Sequence, residues 1–133
     1  MRSLKVLVVE HQPARLLQLH QMLNACGVYG VRVAEDPAAA RRTLERQGPV
    51  DVVVFGSQAT SALMFLDALA ASGETAGVII QGRSECPETT AAVRRARQAG
   101  LWVLGVLPWG HAVCPLHQML CRFKVHVAEP LIA

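Results

Sequence analysis

A chain of 133 residues, 52% of them hydrophobic, with 13 Lys plus Arg and 10 Asp plus Glu, is long enough to bury one core without disulfides or metal. The apolar fraction excludes intrinsic disorder, and no apolar run approaches the roughly 18–20 residues that span a bilayer. The net charge of +3 is spread out, with small clusters at Arg41-Arg42 and Arg94-Arg95-x-Arg97, and lacks the dense basic stripe of a nucleic-acid module.

Lys5-Val6-Leu7-Val8-Val9 is a continuous apolar run, the pattern of a parallel strand covered on both faces. Pro13 suits the first turn of a helix that carries Leu16, Leu19, Leu23 and Cys26 inward and stops at Gly27. Gly30–Ala34 reads as a second, shorter strand. Asp36-Pro37 is an N-cap with proline at the first helical position, and the helix from Ala38 to Gln47 ends at Gly48-Pro49. Val50–Phe55 is the most strongly β segment. A loop from Gly56 to Ala59 leads to a helix around Ser61–Ala71 with Leu63, Phe65, Leu66 and Leu69 as its apolar positions.

Gly77–Gln81 reads as the fourth strand, Pro87-Glu88 opens a helix ending at Ala99-Gly100, and Leu101–Leu107 forms the fifth strand. A last helix starts near Cys114-Pro115 with Leu116, Met119, Leu120 and Phe123 inward. Five βα units predict a doubly wound parallel α/β sheet, flavodoxin-like, in strand order 2-1-3-4-5. Residues 1–123 form the expected domain, and 124–133 an expected tail: a linker stub, an added edge strand, or a docking segment. Cys26, Cys86, Cys114 and Cys121 are scattered without a CxxC. With no signal-peptide pattern at the N-terminus, they read as thiols in a reducing cytoplasm.

In such a sheet ligands sit at the carboxyl ends of the strands. Those ends carry Glu10-His11-Gln12, Gly56-Ser57-Gln58, Gln81-Gly82-Arg83 and Pro108-Trp109-Gly110. The stretches Val-Leu-Val-Val-Glu-His-Gln-Pro at 6–13, Val-Asp-Val-Val-Val-Phe-Gly at 50–56 and Ala-Gly-Leu-Trp-Val-Leu-Gly-Val-Leu-Pro-Trp-Gly at 99–110 resemble the receiver domains of two-component response regulators. The last is most similar to receivers fused to EAL-type cyclic-di-GMP phosphodiesterases. The resemblance covers nearly all of residues 4–123.

That resemblance implies a pocket with two acidic residues holding Mg²⁺ after strand one. It further implies an Asp closing strand three that accepts a phosphoryl group, a Thr or Ser after strand four, and a Lys after strand five. Carboxylates fix the hard cation, and the cation with Lys neutralises charge on the phosphoryl oxygens. Here Glu10 keeps one acidic group, but its neighbour is His11, a poor Mg²⁺ ligand. The acceptor position is Gly56, the hydroxyl position falls on Gln81 or Gly82, and the Lys position falls on Trp109, or on Leu107 in the other register. The chain has three Asp in all, Asp36, Asp51 and Asp67, and none is placed to substitute: an N-cap, the near end of strand three, and a helix interior.

The remaining features have plainer and sharper readings. His111, Cys114, His117 and Cys121 invite a metal, yet their spacing fits no usual zinc pattern and reads as a mixed flank beside the core stripe. His11 reads as a packing or hydrogen-bonding residue ahead of a pH sensor. Glu10 reads as a solvated carboxylate or one paired with Arg83 or Arg15. Arg94 and Arg97 suit the C-terminal helix dipole, and with Trp102 they form a candidate interface, because receivers commonly dimerise through helix four, strand five and helix five.

The expectation is therefore a non-catalytic, phosphorylation-independent receiver-like domain without a cofactor. It would act as a homodimer or by contact with an output domain, EAL-type among them, and bind neither nucleic acid nor membrane. The alternative is a small-molecule binder using the pocket that the missing Asp and Lys leave open. The Glu-His-Gln-Pro loop lacks the Gly or Ser/Thr richness of a phosphate cradle, and no Gly-x-Ser-x-Gly elbow exists.

Overall fold

The computed structural model describes residues 4–56, 62–71, 77–110 and 112–128. The strands are β1 (Lys5–Val9), β2 (Gly30–Ala34), β3 (Val52–Gly56), β4 (Gly77–Gln81) and β5 (Trp102–Leu107). The helices are α1 (Pro13–Ala25), α2 (Pro37–Gln47), α3 (Ala62–Ala71), α4 (Pro87–Gln98) and α5 (Val113–Ala128). All strand pairs are parallel, and the order is β2-β1-β3-β4-β5, as the alternating pattern predicts.

β3 and β4 are buried along their whole length, which is why they carry unbroken Val, Ile and Phe. Successive side chains alternate between two cores. Val6, Val8, Val52, Val54 and Ile79 pack with Leu19, Met22 and Leu23 of α1 and Leu116, Leu120 and Phe123 of α5. Leu7, Val9, Val53, Phe55 and Ile80 pack with Ala40 of α2, Phe65, Leu66 and Leu69 of α3, and Ala92 and Ala96 of α4. Each fully buried Val or Leu contributes about 1.5–3 kcal/mol over its exposed state. Leu63 belongs to a side chain outside the described set.

Local chemistry sets the ends of the elements. Asp36 Oδ1 accepts the Ala39 N–H at 2.7 Å, and Pro37 fills the first helical position, the N-cap and proline start that the sequence predicts for α2. Gly48, at φ +86°, closes the same helix with its N–H on the Leu44 carbonyl. β3 starts at Val52 instead of Val50: the Asp51 side chain accepts the Lys5 N–H at 2.8 Å, and the Asp51 carbonyl accepts the Gly77 N–H as the first bond of the β3–β4 ladder. In β5 the register slips by one residue opposite Val78 and Ile79. This bulge keeps Leu104 and Leu107 both on the α1/α5 side, and a Cβ at Gly105 would come within 2.9 Å of Met119 Cε.

The expected tail at 124–133 needs correction at its start. Helix α5 runs through Ala128, five residues into that segment. Phe123 is buried, the Arg122 guanidinium donates to the Leu104 carbonyl, and no Gly or Pro interrupts the chain before Pro130, so nothing stops the helix at 123.

Asp67 of α3 and Arg95 of α4 form a bidentate pair, Nε to Oδ1 at 2.8 Å and Nη2 to Oδ2 at 2.5 Å. The Arg95 hydrogen bonds hold the Asp67 carboxyl below its ordinary range, and Asp67 in turn raises Arg95. A carboxyl with a depressed pKa stabilises the fold above its unfolded pKa and loses that contribution as pH falls through the folded one. Asp67→Asn will therefore lower the melting temperature at pH 7 and leave a smaller deficit at pH 3. Both side chains are about half exposed, 46% and 49%, so the loss will be small. Melting curves of the two proteins at both pH values check this.

Candidate functional site

Glu10, Gly56 and Gln81 lie side by side at the carboxyl ends of β1, β3 and β4. Val9 pairs with Phe55, Gly56 with Gln81, and Gln81 with Leu107. Side chains two residues apart share a face. Val8, Val54 and Ile79 point to the α1/α5 core, so the three terminal residues crown that core.

Glu10 is buried, with 6% of its surface exposed, and its Oε1 accepts the Gln12 N–H at 3.1 Å. It is neither solvated nor held by the expected arginines. Arg83 instead pairs with Glu85 at 3.0 Å, and Arg15 lies over the Trp109 ring at 3.9 Å from its centroid. His11 turns outward, 73% exposed, with Nδ1 at 3.8 Å from Glu10 Oε1. Gly82 donates its N–H to the Leu107 carbonyl. Glu85 is held below the usual carboxylate range by its own backbone N–H and by the Arg83 guanidinium.

Trp109 decides the character of the pocket. A Cβ on Gly56 would meet Trp109 Cη2 at 3.1 Å, Glu10 Oε2 at 3.7 Å and Trp109 Cζ2 at 3.9 Å. The indole therefore stands where an acceptor side chain would project, with the Arg15 guanidinium over its ring. Leu107 is buried within β5, and Trp109 reaches the pocket. The recess expected around Gly56, Gly82 and Trp109 is filled at Gly56 by that ring. An open recess of about 510 Å³ remains outside it, bounded by Gly82, Arg83, Ser84, Pro108 and the outer part of Trp109.

The donor set does not fit Mg²⁺. One carboxylate is present, one of its oxygens is already used by a backbone N–H, and the adjoining acceptor position has no oxygen. Among the described residues no group of three or more His, Cys, Asp and Glu is arranged to hold a metal. Ser57 and His111 lie outside the described residues.

Gln81 is 2% exposed, and its Oε1 has no hydrogen-bond partner among the described residues. Burying an unpaired amide oxygen costs about 1–3 kcal/mol. Gln81→Leu will accordingly raise the unfolding free energy by about 1 kcal/mol. Urea unfolding checks it, and a loss of stability would mean that the amide holds the strand end in place.

The candidate interface divides between two places. Arg94 and Arg97 are exposed and line one shallow groove of about 470 Å³ between α4 and β5, with Thr90, Val93 and Val106. Trp102 is on the other side of the sheet, half-buried and stacked on Phe123 at 5.3 Å between centroids. Its apolar surface is largely used within the molecule, which sequence spacing around β5 does not reveal.

No family model matches the chain, and no curated protein matches its sequence. Solved structures do match its backbone. The signal receiver domain of an HD domain-containing protein from Pseudomonas fluorescens Pf-5 superposes with a TM-score of 0.77 at 18% identity, over 94% of this chain and 97% of that one. The fold is that of a receiver domain. The chemotaxis protein CheY4 of Vibrio cholerae gives a TM-score of 0.74 at 18% identity, over 92% and 99% of the two chains. The receiver domain of a sensor histidine kinase from Pseudomonas aeruginosa PAO1, described with a magnesium ion coordinated in its active-site cleft, gives 0.72 at 20%, over 92% and 98%. The receiver fold places Glu10, Gly56, Gln81 and Trp109 at one end of the sheet. Among the described residues no helix is long and apolar enough to cross a membrane.

Proposed function

We propose that this chain is a regulatory receiver-fold domain of two-component or cyclic-di-GMP-type signalling that works without phosphorylation and without catalysis of its own. The observation that carries the reading is the Trp109 indole packed over Gly56, 3.1 Å from the place of a Cβ. A phosphoryl group needs an acceptor oxygen, a cation and room, and this end of the sheet offers one buried carboxylate, with an aromatic ring at the place of the acceptor side chain. Signalling then proceeds by contact, through a second copy or a linked output domain of the EAL class, in a cytoplasmic setting. The exposed Arg94 and Arg97 groove is the contact surface that best suits such a partner.

Addition of beryllofluoride or acetyl phosphate with Mg²⁺ tests this directly. The amide spectrum will stay unchanged at Glu10, Gly56 and Gln81, and sedimentation of the same samples will show the same mass with and without the reagents. Saturable shifts at those three amides would overturn the proposal.

A further inference from the structure

We propose that His117 and Cys121 are one half of a zinc site, and that a second copy of this chain supplies the other half across a two-fold axis. The two residues stand one turn apart on α5, where side chains at i and i+4 share a face. Cys121 Sγ lies 3.6 Å from His117 Nε2 and 3.8 Å from Nδ1. Tetrahedral zinc, with Zn–S of about 2.3 Å and Zn–N of about 2.0–2.1 Å, sets a sulfur-to-nitrogen separation of about 3.5–3.6 Å. The pair already has that bite. Thiolate sulfur and imidazole nitrogen are the donors zinc takes, in contrast to the oxygen ligands of Mg²⁺.

A closed zinc site needs four ligands, and one chain offers two. Among the described residues no third His, Cys, Asp or Glu joins the pair. The same face of a second copy can complete the set. At about 100° per residue, Cys114, His117, Cys121 and Val125 form one stripe on the side of α5 opposite the buried Leu116 and Phe123. Cys114 and His117 are exposed, Val125 is 61% exposed, and the stripe carries no charged side chain. Arg122 turns away from it to the Leu104 carbonyl of β5. Two such helices laid antiparallel about a point level with Met119 bring His117 of each copy level with Cys121 of the other. Four ligands then lie within about 6 Å along the helix axis. The arrangement is isologous, so one pair of residues used twice fills the tetrahedron. It also sets Val125 of each copy against the first turn of the other α5, which covers an apolar side chain that one chain leaves in water. On binding, an S–Zn bond replaces the Cys121 S–H bond and the proton goes to the buffer, so two thiolates neutralise the dication. This stripe is separate from the Arg94 and Arg97 groove and from the Trp109 pocket, and nothing in the zinc site depends on whether the domain is phosphorylated.

The test adds zinc sulfate to the reduced full chain and follows its mass by sedimentation and native mass spectrometry. Zinc will double the mass with one ion bound per two chains, and EDTA will reverse it. Cobalt in place of zinc will show sulfur-to-cobalt charge-transfer absorption and the visible bands of a tetrahedral ion. His117→Gln and Cys121→Ser will each weaken the zinc-dependent association by roughly 100-fold or more, because each removes two of four ligands where loss of an outer-shell partner alone costs about 10–100-fold. His117 is exposed, so His117→Gln will melt in EDTA at the temperature of the unaltered chain. Cys114→Ser will keep both the stoichiometry and the cobalt spectrum. A mass that zinc leaves unchanged, one zinc bound per chain, or association that survives in Cys121→Ser would overturn the assignment.

Discussion

Phe55→Ala will cost about 3–5 kcal/mol of unfolding free energy. Phe55 is 1% exposed on β3, the middle strand of the sheet, and meets Phe65 of α3 edge-on with ring centroids 5.9 Å apart at 75°. With Phe65 its ring is one of the two largest side chains of the core between the sheet and α2–α4, which Leu7, Ile80 and Ala96 also line. Alanine leaves a cavity that backbone hydrogen bonds on both sides of β3 prevent from closing. Urea unfolding will show a lower midpoint with an unchanged slope, since the surface exposed on unfolding hardly changes. Phe65→Ala in the same background will cost less than it does alone, by about 0.5–1.5 kcal/mol, because the edge-on contact is lost only once.

Core residues of this kind are legible in the sequence because burial on both faces leaves unbroken apolar runs. Gly77–Gln81 and Lys5–Val9 have the same bounds in the sequence pattern and in the structure. The ends of elements are less legible, since they depend on partners far along the chain. Asp51 bonds to Lys5 just ahead of β3, and Phe123 and Arg122 carry α5 past its expected end through contacts with β5. The same limit applies at the pocket. That Gly56 lacks an acceptor oxygen is a property of one residue and can be read directly. That Trp109 covers it, braced by Arg15, joins three distant stretches through ring packing and a cation over an aromatic face. Neither leaves a spacing pattern. Glu10 offered no signal of its burial either, because a carboxylate at a strand end is usually solvated or paired.

Gly56→Asp will not restore a receiver pocket, and it will destabilise the domain by about 1–3 kcal/mol. The new Cβ enters contact with Trp109 Cη2 at 3.1 Å before any carboxylate is placed, and the indole also carries the Arg15 guanidinium over its ring. The carboxylate would also come beside Glu10 Oε2, which lies 3.7 Å from that Cβ, in a buried setting where two negative charges repel strongly. Trp109→Ala in the same chain removes the steric part. The double variant will then recover about 1 kcal/mol or more relative to the sum of the single ones, the coupling expected of residues in contact. It will also bind Mg²⁺ more tightly than Gly56→Asp does, since two carboxylates then face an open space. If the single substitution is tolerated without cost and already responds to beryllofluoride, Trp109 is a mobile cover. If only the double variant responds, the indole is a second barrier, and supplying the acceptor is not enough while it covers the site.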